Sequence, residues 1–150
     1  MEMTGEQLVP LAQQETWNAL NDPAVLKDCI PGCESIDKAS DNVYNVVLVA
    51  RIGPVSAQFK GKMTVTDADP PRGYTLIFEG QGGAAGFAKG QATVALTPQN
   101  GSTQLAYTAK ATIGGKLAQV GSRLVDGVAK KLAGEFFTAF NERVSGKSTA

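Results

Sequence analysis

The stretch Gly114–Phe140 reads GGKLAQVGSRLVDGVAKKLAGEFFTAF, and its reading decides what the rest of the chain must do. Apolar residues recur at steps of three and four, so the spacing predicts one long amphipathic helix. At about 100° per residue, Leu117, Val120, Gly121, Leu124, Val125, Val128, Leu132, Phe136 and Ala139 fall on one broad stripe. Gln119, Arg123, Asp126 and Lys130 lie opposite; Glu135 falls within the stripe, and Phe137 projects from the polar face. Gly121, Gly127 and Gly134 interrupt this helix, each at about 1 kcal/mol relative to Ala in a helix interior. Only Gly121 sits in the apolar stripe. The expectation is a helix that covers a cavity, with small residues helping to keep that cavity open.

Such a helix needs a surface to cover, and the middle of the chain supplies one. VYNVVLVARI, VSAQFKGKMTVTD, YTLIFEGQG, FAKGQATVAL and STQLAYTAKAT are each strand-length, separated by turn residues at Gly53-Pro54, Asp69–Gly73, Gly82–Gly86 and Pro98–Gly101. Links this short join antiparallel neighbours, which predicts a meander. With ESIDKAS and the N-terminal MEMTGEQLV, about seven strands are expected. Between those two come a short helix over QQETWNAL, with Trp17 and Leu20 on one face, and a second over PAVLKDCI. Asp22 is the N-cap of the second and Pro23 its first residue, and Pro31-Gly32 ends it. The fold class is therefore α+β: two short helices after the first strand, a curved antiparallel sheet, and a long C-terminal helix. One domain over residues 1–145 is expected, with a frayed tail at 146–150.

Alternation sorts the strands into two faces. Tyr44, Val46, Leu48, Ala50 and Ile52 share one face with Phe59, Gly61, Met63 and Val65, then Leu76, Phe78 and Gly80. Gly90, Ala92, Val94 and Leu96 continue it, followed by Leu105, Tyr107, Ala109 and Ala111. Gln58, Lys60, Lys62, Lys89, Gln91 and Lys110 fall on the other, solvated face. The apolar face is rich in Gly and Ala where a packed core would carry branched side chains. Two readings stand. Either the glycines permit sheet curvature and the helix packs down tightly, or sheet and helix leave an apolar ligand cavity.

Composition narrows the chemistry. The 14 basic and 14 acidic residues balance, which argues against nucleic acid as a partner. No apolar run approaches a membrane span and no signal core opens the chain, so a cytoplasmic location is expected. Histidine is absent, which removes His-based triads and most zinc sites. Cys29 and Cys33 have too few companions for a metal site and lack the CxxC spacing, so they read as ordinary, partly buried cysteines. No carboxylate pair reads as a general acid and base; Glu79 and Glu135 are read as rim groups or lysine partners. Hence no catalytic and no metal-ligating residue is expected. Gly82–Gly86 joins two strands without a GK[ST], so it reads as a flexible turn and not as a phosphate loop.

Four ordered motifs, PGCESI (31–36), IGPVSAQFKGKMTVTDADPP (52–71), GFAKGQATVAL (86–96) and the long helix, resemble CoxG, a family of carbon monoxide dehydrogenase subunits, over about residues 1–145. The element order resembles the helix-grip fold of the START-like (Bet v 1-like) superfamily. The matching positions are Pro31, Gly32, Cys33, Gly53, Pro54, Phe59, Gly61, Gly86, Gly90, Gly121, Phe136 and Phe137, mostly structural. The resemblance implies an accessory protein of a molybdenum hydroxylase of the CO dehydrogenase type, linked to attaching that enzyme to the cytoplasmic membrane and to handling quinone. It also implies a lipid-binding cavity under the long helix, without a cofactor beyond a bound quinone or lipid. The sequence ends just after the helix, without the long C-terminal extension some members use for membrane contact, so stable anchoring by this chain alone is not expected.

On this reading the cavity is lined by Trp17 and Leu26 from the short helices. The sheet adds Leu48, Ala50, Phe59, Gly61, Met63, Leu76, Phe78, Ala92, Val94, Leu105, Tyr107 and Ala109; the long helix adds Val120, Gly121, Leu124, Val128 and Leu132. Gly86, Phe87 and Phe137 are expected at its mouth or at a membrane or partner contact. A cyclase of the polyketide type, or a structural adaptor with a filled core, are the alternative functions.

Overall fold

A computed structural model describes residues 1–145; the expected frayed tail at 146–150 lies outside the described residues. The elements run β1 (Glu2–Val9), α1 (Gln13–Leu20), α2 (Pro23–Cys29), β2 (Cys33–Ser40), β3 (Val43–Ile52), β4 (Val55–Asp69), β5 (Gly73–Gln81), β6 (Phe87–Gln99), β7 (Ser102–Gly114), α3 (Lys116–Gln119) and α4 (Ser122–Val144), with one 3-10 turn at Gly83–Ala85. All seven strands form one antiparallel sheet in the order β1-β7-β6-β5-β4-β3-β2.

The meander follows from its turns. Asn100 and Gly101 both have positive φ, 52° and 84°, the geometry of the two-residue hairpin turn that matches the twist of its strands. β1 breaks the sequential order by pairing with β7, from Glu2 opposite Lys110 to Val9 opposite Thr103. β1 and β2 thus sit on opposite edges, and α1 with α2 must cross between them. Asp22 caps α2 by accepting a hydrogen bond from the Ala24 amide at 3.0 Å, which satisfies one of the free amides at a helix start.

The long helix is held mainly by its two ends. Near the C-terminus, Phe140 is fully buried in a cluster with Val9, Leu20, Val25, Cys29, Leu96 and Leu105, and Arg143 reaches Asp28 of α2 at 3.3 Å. Near the N-terminus Val125 is buried, while Leu117 of α3 packs with Phe59 and Ala85. Thr16 and Thr103, both fully buried, fasten α1 to the sheet: their hydroxyls meet at 3.2 Å, and that of Thr103 donates to the Leu11 carbonyl at 2.7 Å.

The expected single helix is in fact two. Gly121 stands between α3 and α4 with φ 98° and ψ 144°, outside the helical region and accessible almost only to glycine. Gly127 and Gly134 stay inside α4 on its exposed side, so neither of them props a cavity open. Among the described residues, no helix is long and apolar enough to cross a membrane.

Candidate functional site: two apolar chambers beneath the C-terminal helix

The concave sheet face and the helices enclose two adjoining chambers, each of about 340 Å³. Four residues, Ile30, Met63, Leu76 and Phe78, line both and form the neck between them. Cross-strand register builds this wall: Met63 stands opposite Phe78, and Leu76 opposite Ala92.

The first chamber lies over β3, β4 and β5. Of the residues expected from the sequence it takes Leu48, Ala50, Phe59 and Gly61, together with Met63, Leu76 and Phe78 of the neck; Ile30 was not among those expected. Val125 and Leu117 close it from the helix side, and Ile113 of β7 adds to its wall. Gly80 is the residue that opens it. A Cβ built there would meet nothing within 4 Å, whereas one at Gly61 or Gly90 would crowd the backbone of the neighbouring strand. Space and close approach are thus separate duties of separate glycines. Lys62 and Glu79 touch this chamber where Gly61 pairs with Gly80, although alternation puts their side chains on the outer face.

The second chamber lies over β5, β6, β7 and the start of β1. From the expected set it takes Leu26, Ala92, Val94, Leu105, Tyr107 and Ala109. Met1, Met3, Tyr44, Tyr74, Ala133 and Phe136 line it as well. The β1 residues were open to alternation, since Met3, Gly5, Gln7 and Val9 share the inner face once β1 is paired with β7. That pairing is long-range and no local signal gives it.

Several expected residues lie elsewhere. Phe137 is a cavity residue and not an exposed one: it lines the second chamber and stacks on Tyr107 at 5.5 Å between ring centroids. Val120, Gly121, Leu124 and Val128 line a shallow outer groove with Arg123, Gly127 and Lys131 instead of the cavity. Leu124 is 39% exposed and lies against the β3–β4 turn, where a Cβ on Gly53 would come within 2.6 Å of it. The physical reason is the break at Gly121. Carrying the phase of Leu117 across it assumes one continuous helix, whereas α4 turns Val125, Ala133, Phe136 and Phe140 inward. Leu132 is half-buried and lines neither chamber. Trp17 belongs to the packed core, edge-on to Tyr74 at 5.3 Å. Gly86 is pressed against Gly114 and Gly115, and Phe87 lies on the outer face with the Lys89 ammonium 5.9 Å from its ring centre. Neither lines a chamber. Glu135 is exposed, outside the apolar line of α4.

The electrostatics of the site are sparse. Burial raises the Tyr44 phenol, with the Asp22 charge adding to it; burial raises Tyr74 far more, with Tyr44 adding to it. Tyr44 donates its hydroxyl proton to the Asn21 carbonyl at 3.2 Å. Both cysteines are free thiols, and burial raises each of them, so they are protonated and weakly nucleophilic at neutral pH. Among the described residues no cluster of His, Cys, Asp or Glu could hold a metal ion. Apolar walls of this kind favour a ligand whose surface leaves water on entry.

Comparison with known proteins places this geometry. Residues 5–145 match CoxG, a family described as a subunit of carbon monoxide dehydrogenase. A conserved protein from Geobacillus kaustophilus is 34% identical, with a TM-score of 0.90, 97% of this chain covered and 95% of that one. A START superfamily protein from Mycobacterium smegmatis has a TM-score of 0.72 at 13% identity, over 96% of this chain and 97% of that one. The Zhui aromatase/cyclase from a Streptomyces species has 0.70 at 12% identity, over 99% and 95%. No curated protein matches the chain at a significant level. The low-identity likenesses carry the fold, which is the START-like helix grip; the family match and the Geobacillus relative carry more. This chain belongs to the CoxG family of carbon monoxide dehydrogenase subunits.

Proposed function

We propose that this chain is a non-catalytic carrier that holds a quinone or similar lipid in the two chambers and serves a molybdenum hydroxylase of the CO dehydrogenase type. It works in the cytoplasm, with transient contact at the inner face of the membrane, either recruiting the enzyme or delivering quinone to it. The observation that carries this reading is the pair of apolar chambers under α4, together with the family's name as a subunit of that enzyme. A ligand burying about 300 Å² of apolar surface gains roughly 7 kcal/mol, of which the loss of its free motion takes back a large share. A filled-core adaptor would need the chambers closed. The cyclase reading rests on the fold alone, and fold does not carry function.

Mass spectrometry on the organic extract of protein purified from its native host without detergent tests the carrier. A co-purifying quinone or lipid near one per chain is expected. A clean extract, with no uptake of an added decyl-substituted quinone, would overturn the proposal. The blocking substitution belongs at Gly80 and not at Leu124: Gly80→Leu places its side chain in open space and should weaken uptake of the decyl-substituted quinone while the fold is kept.

A further inference from the structure

The two chambers match in size but not in chemistry. The first is walled by aliphatic and small side chains, with Phe59 and Phe78 its only rings. The second gathers Tyr44, Tyr74, Phe78, Tyr107, Phe136 and Phe137. Tyr107 and Phe137 lie nearly parallel, 22° apart, and Phe136 meets Phe137 edge-on at 5.1 Å. Rings so arranged receive a planar group through offset and edge contacts; an aliphatic wall receives a chain.

Hydroxyl groups are just as unevenly placed. That of Tyr44 is engaged by the Asn21 carbonyl. Tyr74 lines the second chamber and is only 8% exposed, yet its hydroxyl has no hydrogen-bond partner among the described residues. That hydroxyl keeps some accessible surface, since the fully enclosed side-chain polar atom left without a partner among the described residues is Oδ1 of Asn141, so it stands as a free donor at the chamber wall. Tyr107 is likewise without a partner and lies across Gly5. Tyr74 and Tyr107 both stand opposite Val94, in one row across the sheet, so their backbones are about 10 Å apart at 4.7–4.9 Å per strand. No tyrosine lines the first chamber.

We infer that the second chamber is a head-group site: a planar ring bearing a carbonyl or hydroxyl oxygen lies among these aromatics and accepts a hydrogen bond from Tyr74. Its aliphatic chain runs through the neck of Ile30, Met63, Leu76 and Phe78 into the first chamber. The inference rests on the carrier reading and adds to it the orientation of the ligand and the residue that donates to its ring oxygen.

The test uses the purified chain, freed of bound lipid, and two probes that share a tail, 2-decyl-1,4-naphthoquinone and 2-decylnaphthalene, titrated by calorimetry. Tyr74→Phe keeps the ring and removes the donor. It should weaken the quinone about tenfold and leave the hydrocarbon within about twofold. Trp17, the only tryptophan, has its ring 5.3 Å from that of Tyr74, so a quinone seated head-first in the second chamber should quench its fluorescence. Gly80→Leu should weaken the decyl quinone and not 1,4-naphthoquinone without a tail. Equal losses for both probes at Tyr74→Phe, or no loss for either, would overturn the head-group assignment and leave the carrier standing. Failure of the wild-type chain to bind either probe would sink the carrier itself.

Discussion

A phenol is stable in a protein interior only while it keeps its proton, and Tyr74 makes that condition measurable. Burial, with the Tyr44 charge second, raises its pKa in the folded chain well above the ordinary value of 10.0. The folded state therefore holds the proton more tightly than the unfolded one. Its contribution is fully present below about pH 10 and is lost as pH rises toward the folded value. Stability should fall above about pH 10 by up to about 1.4 kcal/mol per pH unit. Denaturant midpoints collected between pH 8 and 11.5 check this, and Tyr74→Phe should flatten the decline, leaving the smaller part due to Tyr44. An unchanged profile in the variant would show that the Tyr74 phenol is not desolvated. Sequence alternation placed Tyr44 and Tyr107 on the inner face, but the lone hydroxyl of Tyr74 is a fact of packing, since an unmet donor is visible only once every neighbour is in place.

At the level of elements, the glycines of the C-terminal segment have opposite roles that one substitution each can separate. Gly127 lies within α4, and a Cβ there would meet nothing within 4 Å. Gly127→Ala should raise stability by about 1 kcal/mol. Gly121 has equally open space but φ 98°, so Gly121→Ala should lower stability by about 1–3 kcal/mol. A urea midpoint for each variant decides the matter; a gain at Gly121 would mean that α3 and α4 are one helix. The strands were legible because period two, bounded by turns such as Asn100-Gly101, leaves little room for error. The helix was legible in extent and only partly in phase: Leu117, Val125 and Phe136 of the expected stripe face the chambers, but the break at Gly121 depends on a single dihedral angle. That break moved Val120, Leu124 and Val128 out of the cavity and hid the inward turn of Phe137.

For the whole molecule, the C-terminal helix is anchored at Val125 and Phe140 and spans open space between, so occupancy should register as stability. A ligand at about one hundred times its Kd adds about 2.7 kcal/mol, which at this chain length corresponds to a rise in Tm of roughly 5–10 °C. Thermal melts at increasing 2-decyl-1,4-naphthoquinone check this; no shift at saturation would mean that the folded state does not bind this quinone. Half of the chamber wall was foreseeable from alternation, whereas emptiness is a property of three-dimensional closure that no stretch of sequence carries. That emptiness also has a mechanical consequence. Hydrostatic pressure favours whichever state occupies less volume, and unfolding lets water into voids that the folded chain leaves vacant. The unloaded protein is therefore the softer and more pressure-labile form, and filling the chambers should harden it, so loading changes compressibility as well as binding.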